Sequence, residues 1–569
     1  MNKLHKKLLA LLLATGMTLS LFGCAAEAPE QSETKPVITI PEPEQDNKCT
    51  DYGTPLADLR VRRALAHAID MDTIVEALFF GDASKAAGFF GAEDLPVYDY
   101  DPDKAKELLA EAGWPSDYVL DVVYYYDDEQ TEDFLHVIGS YWEAVGVKSE
   151  LRKLEGHVTT ELWATPDDME EGDSAVAWDL LYLGVASLTE AEFYSRFAST
   201  SSNNSHTPAN EALDDLISQM AHAADEQSRR SYYDGAAQIL AEQVSFLPLY
   251  HSNCFIYVSD HLDTAGAIHG NDQYTYEKDI LNWVTDREDE TLYTDGGPQD
   301  HFCYPVVNPG QHLYQELIFE RLLKADSDLN PTEGQIAESY TVSEDGKTVE
   351  FQIREALTWH DGEPLTAEDV QFTFELYLQC PGANAVLTGV LDQLEGAEEF
   401  KNGDAKECAG ITVEENTVKF SFREASADAL KVFAQWPVLP KHKLENVRPD
   451  KLQQNKFWNN PIGSGPYRVS EVELGKYCIL ERWEDYRESG DGNIQYIYMA
   501  ASEEIDQELA VHADRDRLDY AWGKSTDNVA YVKKLDGIEV ETVQVPYTYC
   551  FFINQFAHES YHSAEEITE

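Results

Sequence analysis

Hydrophobic and polar residues alternate most clearly within residues 339–378. Val349, Phe351 and Ile353 take every second position after the polar turn Glu344-Asp345-Gly346-Lys347, which predicts a hairpin whose second strand buries one face. Trp359-His360-Asp361-Gly362 then bends the chain, and Thr366 followed by Asp369 has the spacing of a capping box that opens a helix. A further hairpin is predicted from residues 411–413 and 417–422, around Glu414-Glu415-Asn416. Earlier in the chain the period is helical. Residues 55–81 place Val61, Leu65, Ala68 and Ile69 on one face, with a second short helix after Asp72. Asp101-Pro102 opens another helix, with Pro in the first turn and Gly113 just past its end.

At 569 residues the chain can bury a large core in two or three lobes. A hydrophobic content of 43% and 31 Tyr argue for a folded protein. The 105 acidic residues outweigh 42 basic ones, a net charge of −63, so nucleic acid and anionic membrane surfaces are poor partners. The acids are spread along the chain, as on a solvated surface rather than in a binding tail.

The N-terminus changes the picture. Lys3, Lys6 and Lys7 precede an apolar run from Leu8, which is short for a membrane span and has the layout of an export signal. It leads to Leu21-Phe22-Gly23-Cys24, which resembles a bacterial lipobox and implies diacylation of Cys24 and a lipid anchor in the membrane. Residues 25–50, rich in Glu, Pro, Gln and Thr, read as a flexible stalk.

Little in the sequence points to catalysis or metal. No H-E-x-x-H, G-x-S-x-G or phosphate-binding Gly loop is present. Asp99, Asp101 and Asp103 suggest a calcium loop, but Lys104 and Ala110 occupy the positions that need Gly and Glu, so helix capping is the better reading. Seven further cysteines form no C-x-x-C pair and no zinc spacing, and most read as buried small hydrophobes. No cofactor, metal or catalytic residue is assigned.

The segment SEDGKTVEFQIREALTWHDGEPLTAEDVQFTFE closely resembles the signature of the extracytoplasmic solute-binding proteins of peptide/nickel-type ABC transporters, bacterial family 5. Pro461-Ile462-Gly463-Ser464-Gly465-Pro466-Tyr467 resembles that family's NPxGxGPY turn, and RVRRALAHAID and YDPDKAKELLAEAG resemble helices of its rear half. By the same resemblance, Asp179-Leu180-Leu181-Tyr182-Leu183-Gly184 is a strand running toward the ligand cleft. Helices over 209–223 and 225–244 then precede a strand over 245–250, and a helix over 313–323 enters the smaller lobe. The fold implied is α/β and periplasmic-binding-protein-like (type II), with two main lobes, a smaller third lobe and a hinge.

The family's order is rotated here. Its strand ending in Asn leads into the RVRRAL helix, whereas this chain carries that helix near Val61 and the strand at Asn554. The segments implied are a lipoprotein signal peptide (1–24), the stalk (25–50), the second large lobe (51–255), a first part of the core lobe (256–310), the smaller lobe (311–457), a second part of the core lobe (458–556) and a tail (557–569). Circular permutation produces such an order, as new ends in exposed loops are tolerated. So does a join between halves of two neighbouring copies.

The resemblance implies capture of a peptide, or another small solute such as a nickel complex or sugar, and delivery to an ABC transporter permease. Tyr182, Ala186, Ser187, Phe193, Tyr304, Asn308, Phe552 and Asn554 fall on segments that face the cleft in the family. Ala186 stands where peptide-binding members carry an Asp for the ligand's ammonium, with Glu190 and Glu192 nearby. A secreted peptide- or glycan-cleaving enzyme, or a sensor presenting ligand to a receptor, is the alternative reading.

Overall fold

The computed structural model describes residues 47–558, apart from 90, 156–161, 171, 187–189, 202, 224–225, 265–267, 271–275, 279, 300, 303, 308, 310–312, 327–329, 427, 502–510, 512–514, 524–528 and 530. Helix α1 (Leu59–His67) begins at Asp58, whose carboxylate accepts the Arg60 N–H at 2.9 Å, and it buries Val61, Ala64 and Leu65. The next helix, α2 (Met71–Leu78), starts a little before Asp72 because Asp70 supplies the cap, accepting from Thr73 N–H at 3.1 Å. β1 (Ala83–Lys85) is followed by α3 (Pro102–Ala112), which Gly113 closes at φ 69°.

β2 (Val119–Tyr124), α4 (Glu129–Ala144) and β3 (Lys148–Lys153) form a strand-helix-strand unit with parallel strands. β4 (Leu180–Val185) lies parallel to β2 on its other side. Helices α5 (Glu211–Ala221) and α6 (Glu226–Gln243) lead into β5 (Phe246–Ser259). That strand runs nine residues beyond the expected end at Tyr250. Its polar stretch His251-Ser252-Asn253 reads as a strand end, yet it stays extended because a distant strand pairs along both sides of it.

The second half of the sheet starts with β6 (Thr291–Thr294). The helix expected over 313–323 is confined to Leu313–Ile318, because the Gly465 N–H donates to the Ile318 carbonyl at 2.9 Å where the next turn would form. A small antiparallel sheet follows, from β7 (Ala337–Val342), β8 (Thr348–Ile353), β9 (Ile411–Glu414) and β10 (Thr417–Ser421), in the order β7-β8-β10-β9. Val349, Phe351 and Ile353 of β8 are buried, as their alternation predicts, and Phe351 and Phe420 pack around Phe433. Between the hairpins runs α7 (Ala367–Gln379), started by Asp369, which accepts the Thr366 N–H at 2.9 Å. The chain then returns through β11 (Tyr467–Glu473), β12 (Tyr477–Arg482), β13 (Tyr496–Ala500), β14 (Tyr520–Gly523) and β15 (Ile538–Ile553).

The large sheet has 11 strands in the order β11-β12-β13-β6-β14-β5-β15-β4-β2-β3, with β1 beside part of β5. Its two halves and the small sheet make the α/β architecture of two larger lobes and a smaller one. One apolar cluster fills the β6–β14 half and the small sheet together, while two others cover opposite faces of the β2–β4 half. Among the described residues only β5 and β15 run through both halves.

The Trp359–Gly362 bend and the Pro461–Tyr467 turn, far apart in sequence, lock together. The His360 N–H donates to the Gly463 carbonyl at 2.9 Å, and its ring accepts the Gly463 N–H at Nδ1 (3.1 Å) while Nε2 donates to the Gly465 carbonyl (3.0 Å). That pairing fixes the tautomer. Both glycines are obligatory by contact: a Cβ on Gly463 would stand 1.9 Å from the Ile318 oxygen, and one on Gly465 2.4 Å from the Leu317 oxygen. The signature histidine is therefore a fold clamp.

Among the described residues Cys49, Cys380, Cys408, Cys478 and Cys550 are buried free thiols, and Cys254 is buried as well. None of the helices described there is long and apolar enough to cross a membrane.

Candidate functional site

Strand register locates a point of convergence. β4 pairs Leu180 with Ile553 and Val185 with Thr548, so its carboxyl end meets the middle of β15, and β2 runs parallel to it. From the other half, β14 pairs Tyr520 with Val258 and Gly523 with Phe255, so its carboxyl end approaches the middle of β5, with β6 and β13 parallel. At that same level the β5–β15 ladder slips. Gln544 pairs with Asn253 and Thr548 with His251, leaving residues 545–547 opposite Ser252 alone. Two sets of parallel strands thus aim their carboxyl ends at one bulge, and open α/β sheets bind ligands at such ends. Among the described residues the two halves are joined through β5 and β15.

Tyrosines crowd the β2–β4 side. Tyr125 and Tyr126 follow β2 and stack at 4.6 Å. Tyr549 lies 4.7 Å from Tyr250, 5.6 Å from Tyr182 and 6.0 Å from Tyr126, and Tyr547 stands 5.2 Å from Tyr549. Tyr126 Oη accepts the Gly184 N–H at 2.8 Å, and the Tyr182 and Tyr250 hydroxyls bond each other at 2.9 Å. A Cβ on Gly184 would come 2.3 Å from the Tyr547 ring.

This side carries little free charge. Burial pushes the Tyr547 phenol up to about 12 and holds those of Tyr126, Tyr182 and Tyr549 well above their usual range. His251 is pushed down to about 4 by burial, with Nδ1 3.0 Å from Thr548 Oγ1, so it is neutral at pH 7. Asp127 pairs with Lys153 at 2.6 Å, and Asp128 caps α4 through Thr131. From the other half, Asp295 follows β6 and is buried. Lys533 Nζ reaches across to Asp82 at 3.8 Å, beside an Asn253 side chain that donates to the Asp82 carbonyl at 2.6 Å.

The residues expected at the cleft divide by strand parity. Ala186 sits half-buried at the carboxyl end of β4, and Tyr182 supports the tyrosine cluster from below. Phe193 and Phe552 instead face the opposite side of the sheet, Phe193 stacked on Phe89 at 4.9 Å and Phe552 5.6 Å from Phe197. Asn554 is buried and donates to the Trp178 carbonyl (2.8 Å) and Ser174 Oγ (2.9 Å). Tyr304 is buried against Trp458 and donates to Cys380 Sγ at 3.4 Å. Those four are core groups in this structure. Ser187, Asn308 and Cys24 lie outside the described residues, as does the side chain of Glu190. Glu192 forms a 3.5 Å pair with Arg196. Tyr125, Tyr126, Tyr547 and Tyr549 were not anticipated, although the run Tyr124-Tyr125-Tyr126 and the pair Tyr547/Tyr549 stand out as tyrosine clusters.

Residues 34–205 and 332–559 match the family profile "Bacterial extracellular solute-binding proteins, family 5 Middle". These segments make up well over half of the chain, and the protein belongs to that family. Among individual relatives, a protein of Brucella ovis is 31% identical over 193 residues, 34% of this chain and 34% of its own. The oligopeptide-binding protein AppA of Bacillus subtilis is 29% identical over 175 residues, 31% of this chain and 30% of AppA. The chain thus spans about a third of the length of the curated relatives it matches. Solved structures similar to it include AppA of Bacillus subtilis with a nonapeptide (21% identity, 40% of this chain and 43% of that one, TM-score 0.34). Lactococcal OppA with an endogenous peptide is another (20% identity, 43% and 47%, TM-score 0.35).

Proposed function

We propose that this protein is a lipid-anchored, extracytoplasmic substrate-binding protein that captures a peptide in the crevice between its two large lobes and passes it to an ABC transporter permease. The observation that carries this reading is the convergence of both sets of strand ends on the bulge between β5 and β15. Closure of the lobes about those two strands would bury a ligand between aromatic and backbone groups. Family membership and the peptide-binding names of relatives such as AppA support it. Binding, rather than turnover, is the role assigned, and Cys24 is the anchor.

The rotated segment order belongs to the same reading. Gly53 and Ala557 are neighbours, since a Cβ on Gly53 would come 2.7 Å from Ala557 Cβ, and Ser174 N–H donates to the Ala557 carbonyl at 2.7 Å. The strand ending at Asn554 therefore arrives next to the lead-in to α1, supporting a permuted copy whose halves fold as one.

The test is mass spectrometry of small molecules released from the natively purified protein. Co-purified peptides that rebind the emptied protein are expected; a peptide mixture that is cleaved, or one that never binds, would overturn the reading. Cys24→Ala should release the protein from the membrane fraction or block its processing.

A further inference from the structure

The tyrosines around the bulge carry an inference about ligand class that rests on the solute-binding reading. We propose that the β2–β4 wall of the crevice selects a peptide bearing an uncharged aromatic side chain, with Tyr125 and Tyr126 as the stacking surface and Tyr547 and Tyr549 as their support.

Position comes first. Tyr125 and Tyr126 stand at the carboxyl end of β2, where Tyr126 packs on the Tyr182 face of the sheet and Tyr125 on the opposite face, and Tyr126 is bonded to Gly184 near the end of β4. All four rings are half-buried, so ring surface remains beside a packed backing. The backing is packed: Tyr126 is held through Gly184 N–H, and Tyr549 stacks on both Tyr182 and Tyr250. A pre-positioned ring pays little entropy on binding, and aromatic partners prefer offset or edge-on contact at these spacings.

The polar atoms argue in the same direction. Tyr126 Oη is engaged by Gly184, the Tyr182 and Tyr250 hydroxyls by each other, His251 Nδ1 by Thr548, and Asp128 by the start of α4. Sugar rings also stack on aromatic faces, but their hydroxyls need donors and acceptors that this wall has already committed. An anionic side chain would be desolvated here without a cation to meet it, because Lys153 is already paired with Asp127. An aromatic hydrocarbon face needs neither.

The experiment uses the full-length protein and isothermal titration with three blocked tetrapeptides, acetyl-Phe-Ala-Ala-Ala-amide and its Leu and Glu counterparts, with maltotriose as a sugar probe. Leu matches the apolar burial of Phe without the ring, so it isolates stacking. The Phe peptide is expected to bind at least tenfold more tightly than the Leu peptide, a difference of about 1.4 kcal/mol. Tyr125→Leu should bring the two within threefold, while Tyr125→Phe keeps the preference. Tyr547→Leu, which loosens the support from another strand, should reduce it part-way and guards against misfolding of the first variant. Equal Phe and Leu affinities in the wild type, an unchanged ratio in Tyr125→Leu, or tighter binding of maltotriose would overturn the aromatic assignment while leaving solute binding intact. If none of the four probes binds and no small molecule co-purifies, the solute-binding reading fails and this one with it.

Discussion

The clamp at His360 and the crossing of β5 and β15 both join segments that are remote in sequence, by opposite means. At the clamp the contacts are backbone to backbone, with Gly463 and Gly465 pressed on the carbonyls of Leu317 and Ile318 and one imidazole bonded on both nitrogens. At the crossing the ladder breaks over residues 545–547, and the gap is filled by tyrosine rings that can shift. Backbone contacts have one solution; side-chain contacts have several. A lobe is therefore held rigid by the first kind of joint, and two lobes can move about the second.

The largest expected effect breaks the rigid joint. Gly463→Ala puts a methyl 1.9 Å from the Ile318 carbonyl oxygen, a backbone atom that cannot rotate away. Urea unfolding should show a loss of about 3 kcal/mol or more, at the upper end of overpacking costs. A loss below about 1 kcal/mol would mean that the turn is not locked.

Acid attacks the same joint next. Burial lowers His360 from 6.5 to about 4. Its folded pKa lies below the unfolded one, so the stabilisation is complete above pH 6.5 and is lost as pH falls through about 4. Protonation of Nδ1 also turns the acceptor of the Gly463 N–H into a donor facing a donor. Stability should fall by up to about 3 kcal/mol across that window. His251, also near 4, adds a comparable share at the crossing. His360→Gln and His251→Gln should each flatten the acid limb; an unchanged limb in His360→Gln would show that the clamp is not acid-sensitive.

What the sequence made legible follows the same division. The β7–β8 hairpin, the Thr366 cap and α7 all lie between Ala337 and Gln379, so local turn chemistry and periodicity determine them. β5 and β15 are nearly three hundred residues apart, and the extension of β5 past Tyr250 depends on a partner that local pattern does not reveal. The site suffered from parity. Along β15, Tyr549, Phe551 and Ile553 face one cluster while Cys550 and Phe552 face the other, so Phe552 lies on the face away from Tyr549. Tyr125 and Tyr126 could have been found from their position just after a strand, but only with the strand order known.

A matching glycine tests the deformable joint. Gly184→Ala meets the Tyr547 ring at 2.3 Å, which is also a clash, but with the far end of a side chain. The ring can swing aside, so the expected cost is about 1 kcal/mol, well below that of Gly463→Ala. Ligand affinity should suffer more than stability, because the ring that moves supports the stacking surface. Equal costs for the two glycine variants in urea would remove the distinction between the joints.

The smallest effect concerns charge across the hinge. Lys533, beyond β14, lies 3.8 Å from Asp82, just before β1, so this pair links the two halves of the sheet. Its side chains are 45% and 24% exposed and the separation is near the limit for an ion pair, which places its contribution at about 0.5 kcal/mol or less. Lys533→Ala should therefore leave the urea midpoint almost unchanged. The pair can still bias the lobes toward one arrangement, since the backbone at the bulge resists their movement weakly. A change of less than threefold in ligand affinity at low salt is expected, disappearing in 0.5 M NaCl at a Debye length of about 4 Å. A tenfold change that persists in high salt would show that Lys533 acts through packing, for which its place over the Phe255 ring at 6.0 Å is the available contact.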